Sequence, residues 1–190
     1  MTKIILASAS PRRKELLKKI VPDFEVTISL VDEASVVGNS PEEFAEKAAI
    51  AKARTVAKKE KGALILGADT IVVLGDRVLG KPKDQAEATL MLQSLSGRSH
   101  RVITGFAVID SDSMACSSGY ETTIVRMKPV ADILIADYVA TGRPLDKAGA
   151  YGIQELEEGF IEKVDGDYDN VVGLPIARLA VIFKEMGALL

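Results

Sequence analysis

Two long extended stretches stand side by side in this chain with no helical pattern between them. SHRVITGFAVID begins at Ser99, CSSGYETTIVRMK begins at Cys116, and only the polar DSDSM link joins them. Strands joined so briefly pair antiparallel, because a parallel pair needs a crossover of about a dozen residues. Elsewhere extended and helical patterns alternate. KIILAS reads as a strand and Pro11–Ile20 as a helix; FEVTISL reads as a second strand by its β-branched content. Ser40, Pro41 and Glu43 open a long helix that runs to about Glu60. ALILGADTIVVL is a long strand pattern, and GDRVLG a turn into a short partner strand. Asp84 and Glu87 start a further helix, closed by Gly97. VADILIADYVAT is a helix ended by Gly142; GFIEKV and DNVVG read as short strands before a last helix from Pro175. Alternation combined with one antiparallel pair predicts an α/β fold with a mixed sheet rather than a purely parallel one.

The bulk properties narrow the function. A chain of 190 residues, 47% of them hydrophobic, is long enough for one sizeable domain or two small lobes. A net charge of -3 leaves no overall basic field for nucleic acid, so any anion site must be local. One cysteine, Cys116, excludes an internal disulfide framework. One histidine, His100, excludes zinc sites and triads that need several. No apolar run approaches the roughly 20 residues of a membrane span, and no signal-peptide layout opens the chain. The expectation is a soluble, cytoplasmic protein.

Several polar residues break their local rule. Ser10 and Pro11 cap and start a helix, yet Arg12, Arg13 and Lys14 follow, at the end where the helix dipole disfavours cations by roughly 0.3–1 kcal/mol each. Asp69 interrupts an apolar strand. It is either a structural acid tied to backbone or an arginine, or a functional one. Gly67 beside it would let a ligand approach the backbone closely. Lys81, in GKPKD, is extended by the following proline and can reach an anion, although a solvated turn lysine reads the same. Lys52 sits in a helix of a kind that usually carries solvated lysines. Asp32 and Glu33 could hold a hard cation or only face water. RPLDKAGAYGIQ is dense in small residues and ends in Gln154, whose amide suits a base edge; a tight helix end would look the same. DGDYDNVVGLP reads as an ordinary turn. Neither GxxxxGK[ST] nor GxGxxG is present.

Taken in order, these segments resemble the Maf family of nucleoside triphosphate pyrophosphatases, once described as septum-formation inhibitors. LASASPRRKELL, VDE, the helix with Lys52, GADT, LGKPKD, MLQSLSGRSHRVITG, LDKAGAYGIQ and GDYDNVVGLP carry the likeness across essentially the whole chain. The resemblance implies one Maf-like domain over residues 1–190: an elongated mixed sheet flanked by helices, with two lobes around a cleft, similar to the inosine triphosphate pyrophosphatase fold. It implies hydrolysis of a nucleoside triphosphate to the monophosphate and pyrophosphate, with Mg²⁺ or Mn²⁺. On this reading Asp69 is the proton acceptor and Glu33 a further acid for metal or water. Lys52, Lys81 and Arg13 neutralise phosphate charge. Ser8 and Ser10, two apart, would face one way if the strand persists, and with Arg12 and Arg13 would hold the triphosphate. A homodimer is implied by resemblance alone.

Within the family one subgroup prefers dTTP and UTP and another 7-methyl-GTP. Arg12, Thr70 and Gln154 resemble the first. Two departures stand out. ELEEG follows Gln154 where a glycine-rich run is usual, so Glu155, Glu157 and Glu158 add negative charge near an anion site, and Asp169 stands where an aromatic residue is common. The competing readings are a 7-methyl-GTP pyrophosphatase and a non-catalytic nucleotide-binding regulator of cell division.

Overall fold

The computed structural model describes residues 2–31, 35–156 and 159–188. Asp32 and Glu33, with Glu157 and Glu158, lie outside the described residues. The chain forms two compact units. The first comprises Met1–Asp69, Thr104–Glu121 and Gly173–Leu190; the second comprises Thr70–Ile103 and Thr122–Val172.

The described strands are β1 (Lys3–Leu6), β2 (Glu25–Val26), β3 (Ala63–Leu74), β4 (Arg77–Leu79), β5 (Ser99–Asp110), β6 (Cys116–Met127) and β7 (Ile161–Asp165). They follow the order β2-β1-β3-β5-β6-β7, with β4 added to β3. β1 runs parallel to β2 and β3, whereas β3–β4 and β6–β7 are antiparallel. The sheet is therefore mixed, as expected.

The first unit is organised by α2 (Pro41–Ala57) lying on the sheet. Ser40 Oγ accepts from Glu43 N at 3.1 Å, the forward half of the capping box read from the sequence, while the Glu43 carboxylate accepts from Asn39 N, one residue before the cap. Ala49, Ala53, Val56 and Ala57 of α2 pack on Ile5, Ile65, Ala107 and Ile109. The approach is close because two strand positions are glycine. A Cβ on Gly67 would overlap Ala49 O and stand 2.8 Å from Ala53 N; one on Gly105 would overlap the Ala45 carbonyl. The space beside Gly67 thus belongs to α2, not to a ligand. α1 (Pro11–Lys18) and α6 (Ile176–Glu185) complete this unit, α6 burying Ile176, Leu179, Ile182 and Phe183.

The second unit holds β4, α3 (Gln85–Leu95), α4 (Asp132–Ala140), two 3₁₀ turns at Arg143–Asp146 and Ala148–Ala150, β7 and α5 (Tyr168–Val172). Gly75, at φ +61, makes the expected turn into β4, with Val72 opposite Leu79.

Two expectations fail. FEVTISL contributes only Glu25–Val26 as strand, since Ile28 and Leu30 are 61% and 88% exposed and bury nothing that would extend the pairing. DNVVG is helical rather than extended, because Asp167 Oδ1 takes the Asp169 and Asn170 N–H groups at 2.8 and 3.3 Å and starts α5.

His100 is buried in the second unit, its Nε2 2.6 Å from Tyr151 Oη. Burial lowers its pKa from 6.5 to about 4. The unfolded chain therefore takes up a proton between these values while the folded chain does not. Stability is complete above pH 6.5 and declines as pH falls toward 4, by about 3 kcal/mol across the window. The urea midpoint is expected to be lower at pH 5 than at pH 7.5, and His100→Gln to flatten that difference; an unchanged pH dependence in the variant would contradict the assignment.

Candidate active site

The sharpest feature is an ion pair inside the first unit. Lys52 Nζ lies 2.6 Å from Asp69 Oδ1, with the two side chains only 14% and 9% exposed. The geometry follows from the packing already described. Gly67 and Asp69 are two apart on β3 and share a face. Ala49 and Ala53 of α2 cover Gly67, and Lys52, on the same side of that helix, reaches the next residue of the face. A buried carboxylate requires a compensating charge, and Lys52 supplies it. Among the described residues the partner of Asp69 is thus neither backbone nor arginine but the lysine that reads, from sequence, as a solvated one.

The turn from β1 into α1 forms a second cluster in the same unit. β1 ends at Leu6, so strand alternation does not extend to Ser8 and Ser10. Ser8 is buried, and its Oγ accepts from Ser10 N at 3.2 Å and from an Arg13 guanidinium nitrogen at 3.4 Å. Ser10 caps the helix, accepting from Arg13 N at 3.4 Å. Arg13 Nε donates to Gly173 O at 2.9 Å. The guanidinium is therefore held at two points, a rigid fork rather than a mobile surface charge. Arg12 lies half-buried in the same first turn. Gly173 O has no sequence signature as a functional atom, since the contact is 160 residues away in the chain.

The other predicted residues belong to the second unit. Thr70 follows Asp69 on β3 and is half-buried. Lys81 is exposed just beyond β4, and Gly80 O before it accepts from Gly149 N at 3.0 Å. Gln154 is exposed in a turn, closed by Glu155 N donating to Gly152 O at 2.9 Å. Its small neighbours make room for protein, not ligand: a Cβ on Gly149 would meet Val72 at 2.9 Å, and one on Gly152 would meet Lys147 Cε at 2.7 Å. The DGDYDN segment also does more than turn. Asn170 is fully buried and donates to Val102 O at 3.1 Å and Thr123 Oγ1 at 3.0 Å.

For a divalent cation, no group of three His, Cys, Asp or Glu side chains is gathered among the described residues. Asp69 still fits such an ion by its chemistry. Magnesium at phosphate sites is commonly held by one or two carboxylates together with substrate phosphate oxygens, and Asp69 is a buried carboxylate on β3, the strand paired with the β1 that leads into the Ser8–Arg13 turn. No helix among the described residues is long and apolar enough to cross a membrane.

The chain is similar to known proteins in fold and in sequence. Among solved structures, the HAM1 protein from Coxiella burnetii matches with a TM-score of 0.54 at 18% identity, over 97% of this chain and 100% of that one. The Staphylococcus aureus Ham1 protein matches with 0.54 at 16%, over 97% and 99%. These likenesses show the fold, the α/β one with a mixed sheet expected from the sequence. Relatives at higher identity include the dTTP/UTP pyrophosphatase of Symbiobacterium thermophilum, 49% identical over 187 residues, covering 98% of this chain and 95% of that protein. The dTTP/UTP pyrophosphatase of Acetivibrio thermocellus is 47% identical over 194 residues, covering 98% and 96%. That of Methanosarcina barkeri is 47% identical over 188 residues, covering 98% and 95%. The family model for Maf-like protein matches residues 3–186, and the chain belongs to that family.

Proposed function

We propose that this protein is a nucleoside triphosphate pyrophosphatase that converts dTTP and UTP to the monophosphate and pyrophosphate. The observation that carries the reading is the buried Asp69–Lys52 pair, found in a chain whose relatives are named dTTP/UTP pyrophosphatases. A buried acid with a matched cation, in a chain whose relatives are named pyrophosphatases, favours catalysis over the regulator reading.

Asp69 accepts a proton from water as the water oxygen bonds to phosphorus. The α–β anhydride P–O bond breaks, and its electron pair leaves on pyrophosphate. Lys52 holds Asp69 in place and sets a positive charge beside the reacting phosphates. Arg13, braced by Ser8 and Gly173 O, presents fixed N–H donors. Ser8 and Ser10 accept through oxygen within the fold, so each hydroxyl hydrogen can donate to a phosphate oxygen. The first-turn N–H groups of α1 and the cation of Arg12 add to an anion site at that helix start. When bound, a Mg²⁺ or Mn²⁺ ion neutralises phosphate charge and acidifies water. Asp69 is the described residue to hold it, and Glu33 is its proposed companion. On the second unit, Lys81 contributes a cation for phosphate, while Thr70 and Gln154 set base choice.

The Gln154 amide can pair with the O4 and N3–H edge that thymine and uracil share. A pyrophosphate-release screen over dTTP, UTP, CTP, 7-methyl-GTP and the common purine triphosphates tests the reading. Strong release from dTTP and UTP is expected. Gln154→Ala is expected to shrink that preference about tenfold or more, since an unpaired polar edge discriminates strongly. Dominant turnover of 7-methyl-GTP would overturn the specificity, and absence of any turnover by folded protein with metal would overturn the activity.

A further inference from the structure

The geometry points to Lys147 and Glu155 as a positioning pair that fixes Gln154. The inference rests on the proposed role of Gln154 in base choice. It explains a departure that the family resemblance left open, the acid directly after Gln154.

Lys147 is only 5% exposed, yet it carries a charge. Its Nζ lies 2.7 Å from Asp146 Oδ1 and 3.1 Å from Glu155 Oε2, and donates to Arg143 O. Asp146 is largely in water, with its side chain 62% exposed, whereas Glu155 is 25% exposed and is the inward partner. The lysine stem crosses directly over Gly152, where a Cβ would stand 2.7 Å from Cε and 3.0 Å from Cδ. Tyr138 completes the cluster. Its Oη donates to Glu155 Oε2 at 3.1 Å and accepts from Gly152 N at 3.2 Å.

Gly152 and Glu155 are the two ends of the turn that presents Gln154. One tyrosine oxygen holds both ends, and the buried lysine holds the Glu155 side. The backbone leading into the turn is strained: Ala150, a non-glycine residue, sits at φ +62 directly after Gly149 at φ +67. Such a conformation persists only where its surroundings enforce it. The Gly149 N to Gly80 O bond anchors the start of the segment independently of Glu155. Loss of the Lys147–Glu155 contact therefore loosens the Gln154 end. The Glu155 carboxylate is turned to Lys147 and Tyr138, so this acid acts as a brace.

Full-length Glu155→Gln and Lys147→Met are compared with the unchanged enzyme in steady-state turnover of dTTP. A residue that orients a binding group acts on KM, whereas a loss of folded protein acts on kcat. We expect KM to rise about tenfold with kcat held within about threefold. A KM within about threefold of the parent, or a kcat that falls while KM stays, would overturn the positioning role. Glu155→Gln retains an acceptor for Tyr138 and keeps the test alive should Lys147→Met fail to fold. An unchanged enzyme without turnover of any triphosphate removes the functional reading and this inference together. An active one with unaltered variants removes only the inference.

Discussion

Asp69→Asn is expected to lower turnover of dTTP about a thousandfold while leaving a folded protein, the middle of the range for removing a positioned general base. The substitution is isosteric and keeps an oxygen acceptor for Lys52, but it cannot take a proton from water. It also removes the Asp69 charge from beside Lys52, 14% exposed, which costs on the order of 2–3 kcal/mol of stability, below the figure for a fully buried pair. Pyrophosphate release and thermal unfolding, measured together, separate the two effects. Activity within tenfold of the parent would make Asp69 a structural acid whose purpose is to hold α2.

The second large effect lies in the backbone under that pair. Gly67→Ala is expected to destabilise the protein by about 3 kcal/mol, since its Cβ would overlap Ala49 O and press on Ala53 N, both backbone atoms of α2. For a chain of this size that is roughly 6–12 °C in the melting temperature. The helix can accept the methyl only by lifting from the sheet, which carries Lys52 away from Asp69, so turnover should fall as well. Gly159→Ala serves as a control, because its Cβ meets only Leu134 Cδ1 at 3.9 Å. Equal melting temperatures for the two variants would contradict the close-packing account.

The elements that carry the site were legible where local chemistry is strong. The S-P-E-E box predicted α2 to within a few residues, and Asp69 stood out because a carboxylate in ALILGADTIVVL violates the rule for an apolar strand. Lys52 did not stand out. Its helix contains many lysines, and only the fit of Ala49 and Ala53 over Gly67 selects this one for burial. Gly67 itself was readable as a close approach but not as an approach by a helix. The FEVTISL segment misleads because β-branched residues favour an extended chain without supplying a layer to cover Ile28 and Leu30. The brace on Gln154 was hidden because Lys147, Tyr138 and Glu155 meet only through tertiary structure, although each lies in or near a segment that the small-residue pattern had marked.

The central claim is that the α–β anhydride of a pyrimidine nucleoside triphosphate is the bond that breaks. Phosphorus NMR of a dTTP digest tests it directly. dTMP and pyrophosphate appearing together, in equal amounts from the first turnover, is the predicted result. dTDP with inorganic phosphate would place the cut at the β–γ bond and contradict the account.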